Sequence, residues 1–276
     1  MNLSQTRAWL RQLDPDRIIL NSSGGKDSLT ALHRTAIAAE AAGMLERVTV
    51  LHCDLGHVEW PGARELAARQ AAYYGVDFEV RRRENGGLLD LVRRRRLWPS
   101  ARARYCTSSL KRDVARKFYT ETARRAAVTG RPARLLSILG IRAAESRARA
   151  ARPTLALDRA SSSGRREVTV WHPIHDLSTA QVWDSIKASG APYHPVYRHV
   201  SRLSCSLCPL ASRADLIAAA RLRPALAEQY AAVEREIDHR FRLDLSMAEI
   251  ISAAERPGPG CTAGTRRCPT TAGVPA

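Results

Sequence analysis

Residues 17–28 read RIILNSSGGKDS. Ile18, Ile19 and Leu20 form a short apolar run without alternation, as in a strand buried on both faces. Two glycines follow, set between serines and a Lys-Asp pair, and Ser28 opens a segment to Ala42 whose apolar residues fall on most faces of a helix. Strand, glycine loop and helix make a phosphate-binding unit. Gly24 and Gly25 let backbone amides approach phosphate oxygens, and the helix directs its N-terminal amides and dipole at the same anion. Ser22, Ser23 and Ser28 add hydroxyls, and Lys26 neutralises charge on a departing pyrophosphate. Asp27 is the odd member, because a carboxylate repels phosphate unless it holds magnesium or caps the helix. The loop is not a Walker A motif: Leu20 stands where the first glycine belongs, and Asp27 follows the lysine.

The alternation continues. Val48–His52, Asp77–Val80, Leu135–Leu139 and Glu167–Trp171 read as strands, Pro61–Tyr74 and Thr107 to about Ala127 as helices, and Ser178 as the cap of a helix to Ser189. This predicts an α/β protein with a doubly wound, mostly parallel five-stranded sheet. Residues 151–166, with little to bury, read as a mobile loop placed to serve as a lid. Residues 1–210 are expected to form the main domain, 211–256 a helical segment broken at Pro224, and 257–276 a disordered tail.

The loop SGGKDS (Ser23–Ser28) resembles the PP-loop of the N-type ATP pyrophosphatases. That group includes phosphoadenosine phosphosulfate reductases, tRNA-thiolating enzymes and the ATP pyrophosphatase of DNA phosphorothioation. The resemblance extends from Arg17 to Leu210: VTVLHCDLG supplies an acidic strand end in Asp54, GIRAAESRARA supplies Arg142, Glu145, Ser146 and Arg149, and Trp171–Tyr197 is similar to the reductases' W-x-P strand, helix and Y-x-P-x-Y turn. It implies a sheet of the adenine-nucleotide alpha-hydrolase-like type. It also implies ATP and Mg2+ as cofactors, with Lys26, Asp27 and Arg142 as the catalytic set and Ser22 to Ser28, Asp54, Arg142, Glu145, Ser146 and Arg149 around the nucleotide.

The net charge of +17 invites a nucleic-acid partner. Nearly all of it is arginine, which GC-rich codon usage also produces, so both readings stay open. Nine arginines between Arg81 and Arg104 are denser than a solvated face requires. The N-terminus does not read as a signal peptide and no apolar run approaches a membrane span, so a cytoplasmic protein with no membrane partner is expected. Six cysteines in that setting point to metal or sulfur chemistry. Cys205 and Cys208 form a C-x-x-C before a proline, and Cys106 opens a helix. In the resembling cluster-bearing reductases a Cys-Cys pair joins a distant C-x-x-C on a [4Fe-4S] cluster, whereas here Thr107 follows Cys106. The alternatives are a cluster on Cys106, Cys205 and Cys208 with one open iron, a fourth ligand from Cys53 or a tail cysteine (Cys261, Cys268), zinc with His194 or His199, or an inert or redox pair.

Reductases of the thiol-dependent kind carry a C-terminal E-C-G-L-H segment, and the chain has GPGCTAG around Cys261 instead. The resemblance therefore favours an ATP pyrophosphatase that adenylates a substrate oxygen for sulfur transfer to DNA or tRNA, with a cysteine desulfurase as sulfur donor. An adenylyl sulfate reductase using an iron-sulfur cluster, and a nucleotide- and nucleic-acid-binding subunit without catalysis, are the alternatives.

Overall fold

The computed structural model describes residues 3–256. The expectations for the 257–276 tail, with Cys261 and Cys268, lie outside the described residues. The chain runs α1 (Leu3–Leu13), β1 (Arg17–Ser22), α2 (Lys26–Ala42), β2 (Val48–Asp54), α3 (Ala63–Tyr73), β3 (Asp77–Arg82) and α4 (Leu88–Arg95). It continues through α5 (Tyr105–Thr107), α6 (Asp113–Arg125), β4 (Ala133–Leu139), α7 (Arg147–Ala150), β5 (Leu155–Leu157), β6 (Arg166–Trp171) and α8 (Thr179–Ser189). Three helices close it: α9 (Arg213–Leu222), α10 (Pro224–Ile237) and α11 (Met247–Glu255).

The sheet order is β3-β2-β1-β4-β6-β5. Five strands are parallel, as the alternation predicts, and β5 adds a sixth, antiparallel to β6. That sixth strand corrects the expected five-stranded sheet, and it lies within the 151–166 segment expected as a mobile loop. Three residues are too few to show a period, but pairing Leu155–Leu157 with Leu157↔Thr169 and Leu155↔Trp171 covers an edge whose amides and carbonyls would otherwise lack sheet partners. The helix expected over 107–127 is interrupted: a π-helical turn, Ser108–Arg112, joins α5 to α6. Such turns concentrate at functional sites.

Both faces of the sheet are covered. Ile18, Leu20, Val48, Val50, Leu136 and Ile138 pack against α1, α2 and α8, while Ile19, Leu51, Leu135 and Val168 pack against Phe118 and Tyr119 of α6. This is why the β1 run shows no polar alternation. Each such side chain contributes about 1.5–3 kcal/mol on burial. A further core joins α4, α9, α10 and α11 around Trp98, which stacks on Tyr230 at 5.1 Å. Because strand order reverses between β1 and β4, a crevice opens at their carboxyl ends, where such sheets bind ligands. The loop after β1 and the GIR segment after β4 both emerge there. No helix among the described residues is long and apolar enough to cross a membrane.

Candidate functional site

The glycine loop is held by close backbone approach. Gly24 has φ +71°, and a Cβ there would stand 2.7 Å from the Ala63 carbonyl oxygen, so α3 reaches the loop only against glycine. Ser22 Oγ accepts the Gly24 N–H at 3.0 Å, and Ser28 Oγ accepts the Ser23 N–H at 3.4 Å while donating to the Gly25 carbonyl at 2.8 Å. Two of the three predicted hydroxyls thus shape the loop. Gly25 is the N-cap of α2 and supplies no side-chain cap, which leaves the first-turn amides for other acceptors. The Lys26 N–H donates to the Tyr197 hydroxyl at 2.7 Å.

Lys26 and Arg142 are each only 4% exposed. Lys26 Nζ lies 2.9 Å from Asp27 Oδ2, and Arg142 Nε donates to Asp27 Oδ1 at 2.7 Å. Arg142 Nη1 also donates to the Leu177 carbonyl at 3.3 Å and to Thr179 Oγ1 at 3.2 Å. A buried cation is costly unless paired, and Asp27 is the counter-ion that two of them share. This accounts for the odd carboxylate: Asp27 meets a buried cation on each of its oxygens. The trio carries a net positive charge at the positive end of α2, which favours an anion. A Cβ on Gly140 would fall 2.6 Å from the Asp27 carbonyl oxygen and 2.9 Å from the Ser28 nitrogen, so the end of β4 presses on the start of α2. That contact sets Arg142 against Asp27.

On the rim, Glu145 accepts the Arg142 backbone N–H at 3.0 Å, pairs with Arg149, and lies 3.5 Å from Arg202. Ser146 caps α7, its hydroxyl accepting the Arg149 N–H at 3.3 Å. Asp54 ends β2 and accepts the Gly56 N–H on Oδ1 at 2.7 Å.

The thiols gather elsewhere, in the core shared by α4 and the closing helices. Burial pushes the Cys205 thiol up to about 12, with Cys208 and then Cys106 raising it further through their charges. Tyr230, wholly buried, is held well above its ordinary value by burial and then by Cys205 and Cys208, and its hydroxyl has no hydrogen-bond partner. Tyr230 is thus a buried donor without a partner in the core that Cys106 and Cys205 pack against. Among the described residues no group of three His, Cys, Asp or Glu side chains could hold a metal ion. His194 leaves the zinc alternatives, since its Nδ1 accepts the Val196 N–H at 3.1 Å and its Nε2 donates to the Pro61 carbonyl at 3.0 Å. Cys53 packs with the α6 face of the sheet and directs its thiol at the Lys111 carbonyl at 3.7 Å, outside the group. Thiols are the donor type that iron-sulfur clusters use.

A family model for the phosphoadenosine phosphosulfate reductase domain matches residues 17–211. The chain belongs to that family. No curated protein matches it by sequence. Among solved structures it is similar to phosphoadenylyl-sulfate reductase from Candida auris in a phosphate complex, at 18% identity and TM-score 0.48, covering 72% of this chain and 84% of that one. It is also similar to the U34-tRNA thiolase NcsA from Methanococcus maripaludis with its [4Fe-4S] cluster, at 12% identity and TM-score 0.43, covering 85% and 76%. A third similarity is to NAD+ synthetase from Burkholderia pseudomallei, at 18% identity and TM-score 0.41, covering 86% and 87%.

In this member of the phosphoadenosine phosphosulfate reductase family, several contributors were not singled out from sequence. Gln70, buried on α3, donates to the Gly24 carbonyl at 3.2 Å and to the Pro192 carbonyl at 2.9 Å. His52, buried on β2, joins the Ser22 carbonyl to Glu59, at 3.1 Å to each. A polar residue in an apolar stretch was the only available signal for either. The arginine stretch is largely structural. Arg81 pairs with Glu79 and Glu121, Arg93 with Glu236, Arg95 lies over the Tyr105 ring, and Arg96 reaches the Ile237 carbonyl. Arg102 and Arg104 are exposed without a charged partner among the described residues.

Proposed function

We propose that the chain is an ATP pyrophosphatase that cleaves between the α and β phosphates and adenylates a substrate oxygen, releasing pyrophosphate, for sulfur transfer to nucleic acid. The observation that carries this reading is the Lys26–Asp27–Arg142 trio at the N-terminus of α2, beneath an intact SGGKDS loop. Nucleotide phosphates would lie on the first-turn amides of α2. As the substrate oxygen attacks the α-phosphorus and the bond to the bridging oxygen breaks, negative charge grows on the departing pyrophosphate. Lys26 leaves Asp27 to meet that charge, and Arg142 keeps Asp27 compensated meanwhile. Magnesium would enter with the nucleotide and neutralise its phosphates, and we assign its carboxylate ligand to Asp54 at the end of β2. A sulfur nucleophile then attacks the atom that bears the adenylated oxygen, carbon in a tRNA base or phosphorus in a DNA backbone, and AMP leaves with that oxygen.

Cys106, Cys205 and Cys208 would hold a [4Fe-4S] cluster, which supplies an open iron able to carry a sulfur atom. The acceptor class we propose is DNA or tRNA, with a cysteine desulfurase as the sulfur source; the net charge of +17 and the exposed Arg102 and Arg104 support it. The test is Lys26→Ala. Pyrophosphate release is expected to fall about 10²- to 10³-fold, the scale of losing one stabilising donor, while salt-sensitive nucleic-acid binding persists. Unchanged turnover would remove Lys26 from the mechanism, and sulfite release from an adenylyl sulfate without ATP turnover would favour the reductase alternative.

A further inference from the structure

The amide of Lys26 is one of the donors a phosphate would use, and in the free protein it is already taken. Its acceptor is the Tyr197 hydroxyl, 2.7 Å away. Tyr197 sits on a short 3-10 turn, Pro195–Arg198, with its ring edge-on to Trp183 at 5.0 Å and Lys26 Nζ 5.7 Å from its centroid. A Cβ on Gly25 would meet the Tyr197 hydroxyl at 3.1 Å and Leu203 Cβ at 3.3 Å, so the glycine lets both close over the loop. Leu203 stands two residues before Cys205. The phenol therefore touches the helix N-terminus and the buried lysine, and it meets the segment that leads to the thiols at Gly25, where its hydroxyl and Leu203 converge.

We infer that Tyr197 is a positioning residue of the phosphate loop: its hydroxyl holds the Lys26 amide in the free protein, yields it to a nucleotide phosphate, and thereby releases the segment from Arg198 to Cys208. The inference rests on the nucleotide reading above. A neutral hydroxyl is a weaker acceptor than a phosphate oxygen, so the exchange runs toward the nucleotide. What Tyr197 contributes is a link, so that filling the loop loosens the chain before the C-x-x-C.

The experiment compares wild type with Tyr197→Phe, which keeps the ring against Trp183 and so the fold, as a thermal unfolding scan verifies. Binding of Mg-ATP and of inorganic pyrophosphate is measured by calorimetry, and hydrogen exchange of peptides spanning 195–208 is followed with and without Mg-ATP. Removing the competing contact is expected to tighten both ligands about two- to tenfold, the range of one net hydrogen bond. Exchange over 198–208 should quicken on adding Mg-ATP to wild type, and should already be fast and unresponsive in the variant. Weaker or unchanged binding by the variant, or the same nucleotide response in both proteins, would overturn the inference while leaving wild-type binding intact. If wild type bound neither ligand, the nucleotide reading itself would fall and the inference with it.

Discussion

Asp27 serving two buried cations makes a quantitative demand on stability. Charges about 4 Å apart at an effective dielectric near 20 attract by ~4 kcal/mol before desolvation. Breaking a buried pair from one side typically costs about 3–5 kcal/mol. The Asp27 side chain is 20% exposed, which trims that figure, and Arg142 is 5% exposed, which does not. Arg142→Met should therefore destabilise by about 2–4 kcal/mol, including the donors lost to the Leu177 carbonyl and Thr179. For a chain of this size that is a fall in Tm of roughly 3–7 °C. Asp27→Asn should cost a similar amount, because it leaves both Lys26 and Arg142 buried without a counter-ion. The double variant removes the conflict, so its loss should fall short of the sum by about 1–3 kcal/mol. Urea unfolding of all four proteins at one pH gives the coupling. Additivity within ~0.5 kcal/mol would refute the shared-counter-ion account, since residues that do not interact add.

Other consequences follow from single contacts. Gly140→Ala forces β4 and α2 apart at the Asp27 backbone, and is expected to cost about 1–3 kcal/mol and to lower ATP turnover by up to ~10²-fold, read by unfolding and by kinetics on the same preparation. Asp16 accepts from Arg131 at 2.7 and 2.8 Å and from the Arg134 N–H at 2.7 Å, and chiefly the Arg131 bond holds its carboxyl below the ordinary value. A depressed carboxyl stabilises above its unfolded pKa and loses that contribution as pH falls through the folded one. The Tm gap between wild type and Asp16→Asn should thus be present at neutral pH, modest because solvent screens the pair, and close on acidification below about pH 4. Anaerobic protein supplied with iron and sulfide should absorb broadly near ~400 nm, and Cys208→Ser should lose that band; a colourless protein with stoichiometric zinc would reject the cluster.

The phosphate loop was legible because several local signals coincided there: an unalternating strand, two glycines, a lysine and a following helix. Gly140 and Arg142 were legible as a segment but not as a contact, since the approach of β4 to Asp27 depends on the register Asn21↔Leu139, which no local pattern encodes. The pairing of Asp27 with Arg142 was not legible for the same reason. Its partner Arg142 is 115 residues away, and only the sheet order brings the two together. β5 was missed because three residues carry no period and its stability comes from β6. The arginines of 81–104 read as a patch, yet carboxylates such as Glu121 and Glu236, remote in sequence, engage several of them.

The most direct test of the account is the identity of the products. The protein, prepared anaerobically, is incubated with Mg-ATP alone and with DNA, tRNA or adenylyl sulfate in separate reactions, and pyrophosphate, AMP, ADP, orthophosphate and sulfite are quantified. The account predicts pyrophosphate from ATP, stimulated by one nucleic acid, with AMP appearing once sulfur is supplied and no ADP formed. ADP with orthophosphate, or sulfite from adenylyl sulfate with ATP untouched, would contradict it.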